Sequence, residues 1–207
     1  MADYKAIKGH TIQTVAGDPG TLVDGLIWYD SGAKKIQGSK TAAGAWATGG
    51  DINTTRFAGA SSGGAPRDTS IIFGGSPPNR DETETYDGSS WTEVGDLNTA
   101  RARIAGAGAT QTAALGFGGE VSPQQQNELW DGSSWSEEGD LNTGRAGQTG
   151  TGTTTAALCT GGKIGENFQT INEQWNGSSW TEVGDMNTGR AYSGLTGITT
   201  AALAFGG

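Results

Sequence analysis

The strongest constraint on this chain is a repeat. The segment YDGSSWTEVGDLNTARARIAGAGATQTAALGFGG, residues 86–119, recurs as residues 130–162 and again as residues 175–207, and a weaker copy covers residues 44–75. The aligned tryptophans Trp46, Trp91, Trp135 and Trp180 stand 45, 44 and 45 residues apart, and Arg56, Arg101, Arg145 and Arg190 keep the same spacing. A period of this length marks a supersecondary unit that cannot bury its apolar face alone and does so against its neighbours.

Each unit reads as four strands. Alanine and glycine follow the arginine (residues 102–108 and 146–152), which suits a strand so crowded that side chains have no room. The next run, residues 112–117 or 199–205, is apolar enough for a buried strand and stops at Gly-Gly. After a variable loop, an aromatic (Tyr86, Trp130 or Trp175) leads into Asp-Gly or Asn-Gly, which predicts a tight type I′ hairpin turn. The chain returns through Trp91, Trp135 or Trp180 as the outer strand. No segment has a sustained helical period.

Composition narrows the functional classes. Glycine makes up 37 of 207 residues, far above the usual ~7%, but with only 5 prolines the chain stays short of a disordered composition. Its net charge of -9 offers no electrostatic attraction to nucleic acid or anionic lipid. The single cysteine, Cys159, excludes an internal disulfide. Residues 1–10 (MADYKAIKGH) do not read as a signal peptide, and no run approaches the ~18 apolar residues of a membrane helix.

Gly118-Gly119, then Trp130, then Trp135 five residues later resembles the kelch repeat, and the likeness covers residues 44–207. The phrases WTEVGDLNTAR and TAALAFGG, the opening MADYKAIKG and the stretch GLIWYD (residues 25–30) are similar to repeat proteins of tailed, marine-type bacteriophages. The resemblance implies an all-β, kelch-like β-propeller over residues 26–207 behind an N-terminal docking arm, residues 1–25. Four short blades would close by a splice in which Ile27–Asp30 and Ala45-Trp46 complete the half-blade at residues 190–207. Stacking in an oligomeric fibre is the alternative architecture.

The recurring tryptophans and the aromatic set Tyr29, Tyr86, Trp130 and Trp175 are expected to pack blade against blade, although indole faces can also stack on sugars. Asp-x-Asn-Thr-x-Arg, at residues 51–56, 96–101, 140–145 and 185–190, suggests Asp and Asn making local turn bonds while Arg pairs with an acid of the same or next blade. A ring of ligand-binding groups is the competing reading. The calcium-loop pattern fails, because Ala100 and Arg101 stand where further ligands belong. His10 is alone and outside the repeats, so no histidine triad can form within them; the neighbouring carboxylates Asp81-Glu82 and Glu137-Glu138 should point to opposite faces. Cys159 reads as a small apolar filler.

Binding is instead expected where the repeats differ. The candidates are Arg80, Asp81 and Glu82 in the first variable loop, Gln124 and Gln125 in the second, and Asn167, Phe168 and Gln169 in the third. A longer insertion at residues 60–69 reads as a hairpin tip. The expectation is a non-enzymatic virion component without cofactor or metal, made in the host cytoplasm and oligomeric in the particle. It would attach to other virion proteins through residues 1–25 and recognise a host-surface glycan or protein. An intracellular kelch-type interaction module is the alternative.

Overall fold

A computed structural model describes residues 13–16, 27–38, 49–62 and 69–207. The chain divides into two compact units, residues 1–48 and 49–207. Residues 26–48, which the sequence groups with the repeats, fall in the first. The described residues are all-β, with no helix.

In the first unit β1 (Gln13–Val15) pairs in parallel with β2 (Ile27–Asp30), and β2 pairs antiparallel with β3 (Lys35–Gly38). Asp30 closes the β2–β3 turn by accepting the N–H groups of Gly32 and Ala33, each at 2.9 Å. Trp28 is buried. Among the described residues both edges of β2 are occupied, and the expected outer strand at Ala45-Trp46 lies outside them. Trp46 itself lies outside the described residues, as do most of residues 1–25 and residues 63–68 of the insertion.

The described residues of the second unit form three antiparallel four-stranded meanders. The first is β4 (Ala60–Ser62), β5 (Ser70–Phe73), β6 (Thr83–Tyr86) and β7 (Trp91–Glu93). The second is β8 (Ala105–Thr110), β9 (Ala113–Phe117), β10 (Asn127–Trp130) and β11 (Trp135–Glu137). The third is β12 (Thr149–Thr153) and β13 (Ala156–Thr160), then a small hairpin of β14 (Lys163–Ile164) and β15 (Asn167–Phe168), then β16 (Asn172–Trp175) and β17 (Trp180–Val183). A final sheet has two strands, β18 (Gly194–Ile198) and β19 (Ala201–Phe205).

The hairpin between the third and fourth strands keeps one register, with Tyr86 opposite Trp91, Trp130 opposite Trp135 and Trp175 opposite Trp180. Its turn is not the two-residue type I′ turn that Asp-Gly predicts. Four residues separate the paired aromatics, only the glycine has positive φ (99° at Gly88), and the Asp87 carboxylate accepts the N–H groups of Ser89 and Ser90 at 2.8 and 2.9 Å. A side chain thus does the work that a second left-handed residue would do in the shorter turn.

The core lies between sheets. Ile71, Phe73, Ile104, Ala114, Trp130 and Trp135 form one cluster, and Leu115, Phe117, Leu141, Cys159, Trp175 and Trp180 belong to the next. Phe73 meets Trp135 edge-on at 4.8 Å between ring centres, and Phe117 meets Trp180 in the same way at 4.8 Å. Each such pair adds about 0.5–1.5 kcal/mol beyond area burial. The Ala/Gly-rich first strands explain themselves in this packing: a Cβ on Gly106 would lie 2.8 Å from the Ser61 carbonyl, and one on Gly150 would lie 2.5 Å from that of Gly106.

A backbone ladder also crosses the repeats two residues after each arginine. Arg103 donates its N–H to the Ala58 carbonyl (2.7 Å), Gly147 to Arg103 (3.0 Å) and Tyr192 to Gly147 (2.8 Å), with positive φ at all four positions. Ala, Arg and Tyr rarely adopt that conformation, and here the hydrogen bonds between repeats hold them in it.

Candidate functional site

The recurring polar residues assemble a clasp around a glutamate that stands two positions before the aromatic of the third strand. Glu84, Glu128 and Glu173 are fully buried or within 1% of it. In the third sheet, Asn142 donates its backbone N–H (2.7 Å) and its side-chain amide (2.9 Å) to one Glu173 oxygen. Thr143 donates its N–H to the other oxygen at 3.2 Å, and Arg145 donates to the same atom at 2.5 Å. The Asn142 amide also donates to the Trp180 carbonyl at 2.8 Å, tying the outer strand into the group.

The same constellation occurs in the other complete sheets. Asn98 donates to Glu128 through its backbone and side chain at 2.7 and 2.9 Å, with Arg101 paired to Glu128 at 2.9 Å. Asn53 and Thr54 donate backbone N–H groups to Glu84, to which Arg56 is also bonded. The loop with Asn98 and Arg101 follows β7 of the first sheet and grips β10 of the second, and the loop with Asn142 and Arg145 follows β11 of the second and grips β16 of the third, so these two clasps join consecutive repeats. Asn does not make the local turn bond that its type suggests; its partners lie on another sheet, 30 or more residues along the chain. Burial lowers the Arg101 pKa while the Glu128 charge raises it, and an arginine remains charged in either case. The surrounding donors share the carboxylate charge, and deleting one member would leave an uncompensated buried ion.

Arg145 also touches Cys159 Sγ at 3.1 Å. The thiol is fully buried, and loss of hydration pushes its pKa up to about 12, so it is no nucleophile at neutral pH. Among the described residues no group of three or more His, Cys, Asp and Glu side chains is arranged to hold a metal ion.

The variable-loop residues lie on the three connections between the second and third strands of the sheets. Their main chains support the next clasp: Arg101, Arg145 and Arg190 donate backbone N–H groups to the carbonyls of Arg80, Gln124 and Gln169 at 2.9, 3.2 and 3.1 Å. Leu97 and Leu141 donate likewise to Asp81 and Gln125, both at 2.9 Å. Since these bonds use only backbone, the side chains are free to differ between repeats. Arg80 pairs with Glu82 at 2.8 Å, and both are half-buried. Asn167 and Phe168 are exposed on β15, Phe168 by 60%.

Sequence reasoning overlooked the three clasp glutamates. The signal was present, as TETY, NELW and NEQW each carry Glu two places before the aromatic. In comparisons with known proteins, no family model matches the chain and no curated protein matches its sequence.

Proposed function

We propose that the sheets are blades of a kelch-like propeller and that the protein is a non-enzymatic structural or adhesive component of a tailed-phage virion. The observation that carries this reading is the use of the recurring polar residues. In each four-stranded sheet the repeated Arg and Glu form a buried ion pair and the Asn donates to the same glutamate or to the adjoining outer strand, which favours a scaffold over a ring of ligand-binding groups. The sequence likeness to phage repeat proteins supplies the setting. Recognition of a host-surface glycan or protein falls to the side chains that differ from repeat to repeat, with Phe168 and Asn167 the most accessible.

Antibody labelling of purified phage particles under the electron microscope tests the proposal. Label at the tail tip or fibres supports host recognition, and label on the head supports a decorating role. Unlabelled intact particles would overturn the virion assignment in favour of an intracellular interaction module.

A further inference from the structure

The two residues that follow the recurring Arg-Ala, or Arg-Phe in the first copy, differ in every repeat: Ala58-Gly59, Arg103-Ile104, Gly147-Gln148 and Tyr192-Ser193. All of them except Ser193 line one cavity of about 130 Å³. The backbone beneath it is constant, since the ladder of hydrogen bonds joins Ala58, Arg103, Gly147 and Tyr192, each at a φ between 53° and 65°. The fold thus sets four left-handed positions side by side and lets their side chains vary, which is the pattern of a binding surface rather than of a packing seam.

Three side chains give the cavity its chemistry. Tyr192 lies over Gly147, where a Cβ would stand 2.5 Å from the ring, and is 54% exposed. Arg103 brings its guanidinium within 5.5 Å of the centre of the same ring and pairs with Glu120 through Nη1. That leaves the Nε and Nη2 donors of the fork for a ligand. Gln148 is 6% exposed. Its amide nitrogen donates to the Phe117 carbonyl at 2.7 Å, which fixes the orientation of the amide, and its oxygen accepts no hydrogen bond among the described residues. A buried carbonyl oxygen without a donor is costly, and a ligand hydroxyl would relieve that cost.

We propose that this cavity binds a single sugar ring of a glycan. The N–H groups of Arg103, Gly147 and Tyr192 are already bonded to neighbouring repeats, so a peptide strand finds no such donors to pair with. An anion would meet the Glu120 carboxylate and the Gln148 oxygen. What fits is a ligand with an apolar C–H face for Tyr192, a hydroxyl that donates to Gln148 and oxygens that accept from Arg103. A saccharide carries all three on one ring. The inference shares the glycan class with the proposed host recognition but assigns it to the ladder rather than to Asn167 and Phe168, so either assignment can fail alone.

Two-dimensional proton–nitrogen NMR of the full chain tests it, with titration of the methyl glycosides of glucose, galactose, mannose, rhamnose and N-acetylglucosamine to about 50 mM. At least one glycoside is expected to shift the Gln148 side-chain amide and the Arg103 Nε signals saturably, with a Kd of about 1–10 mM. Tyr192→Gly and Arg103→Gly introduce the residue that the third copy carries at 147, so the backbone keeps its φ without strain and circular dichroism should show the fold intact. Each should weaken binding about tenfold or more. The inference is overturned if no glycoside gives a saturable shift, or if the shifts are confined to other residues. Affinity unchanged by Tyr192→Gly would move the glycan to the variable loops and overturn this site alone.

Discussion

The loops Asp140–Arg145 and Asp185–Arg190 read DLNTGR and DMNTGR, differing only at Leu141 and Met186. In the first, the arginine is fully buried against Glu173 and the leucine is buried in the core. In the second, Arg190 and Met186 are only half-buried and Thr188 is exposed where Thr143 is half-buried, while the asparagine is exposed in both loops. Nearly identical sequence thus occupies two electrostatic environments, because the environment is supplied by the third and fourth strands of the next sheet. The clasp is a property of the junction between repeats rather than of the repeat.

Paired substitutions break this comparison most directly at the arginines. Arg145→Ala strands the Glu173 carboxylate and should cost about 3–5 kcal/mol in urea denaturation. Arg190→Ala removes no ion pair and should stay within about 0.5 kcal/mol. Similar losses for both would show that the clasp contributes little.

Aromatic packing gives the next contrast. Trp180 is 4% exposed and meets Phe117 edge-on, so Trp180→Ala should cost about 3–5 kcal/mol, near the arginine value. Leu203→Ala, on the open edge, should change thermal stability by less than about 0.5 kcal/mol.

Glycine sharpens the comparison sterically. Gly139→Ala pushes a methyl group against the Ser178 carbonyl and should destabilise by about 1–3 kcal/mol. Gly184→Ala meets open space and should be neutral, or stabilising by about 0.4–1 kcal/mol through a stiffer unfolded chain. Differential scanning calorimetry of the two variants separates these outcomes.

The smallest effect concerns acid. The N–H groups of Ser90 and Ser89 hold the Asp87 pKa at about 2, below the ordinary aspartate value of ~3.9. Since the folded value is the lower one, its stabilisation is present above ~3.9 and disappears as pH falls through about 2. Carboxyl NMR should place the Asp87 midpoint near 2, and Asp87→Asn should flatten the pH dependence of stability in that window. A midpoint near the ordinary value would show that the turn hydrogen bonds do not persist in solution.

Much of this architecture was legible in the chain. The period, the strand order, the Gly-Gly stops and the paired aromatics follow from local pattern, and the arginines announced themselves by spacing. The glutamates were harder to recognise, because Arg56–Glu84 and Arg145–Glu173 each join positions 28 residues apart through a sheet that sequence spacing does not draw. The left-handed backbone at Ala58, Arg103 and Tyr192 was hidden for a related reason, since nothing in those side chains favours positive φ and only the ladder between repeats imposes it. For Asp-Gly, the sequence marked the right place and the wrong turn, because the deciding hydrogen bonds come from the aspartate side chain.

What the sequence determined by itself is the unit: four strands, a hairpin capped by Asp or Asn, and a polar loop able to receive a carboxylate. These depend on residues near one another in the chain, where side-chain type and spacing act directly on the backbone. Only the tertiary structure decided that Arg56, Arg101 and Arg145 each meet a buried glutamate while, among the described residues, Arg190 meets none. An ion pair is fixed by the placement of a second sheet, and the same Asn-Thr-x-Arg can close a core or face solvent according to whether that sheet is complete.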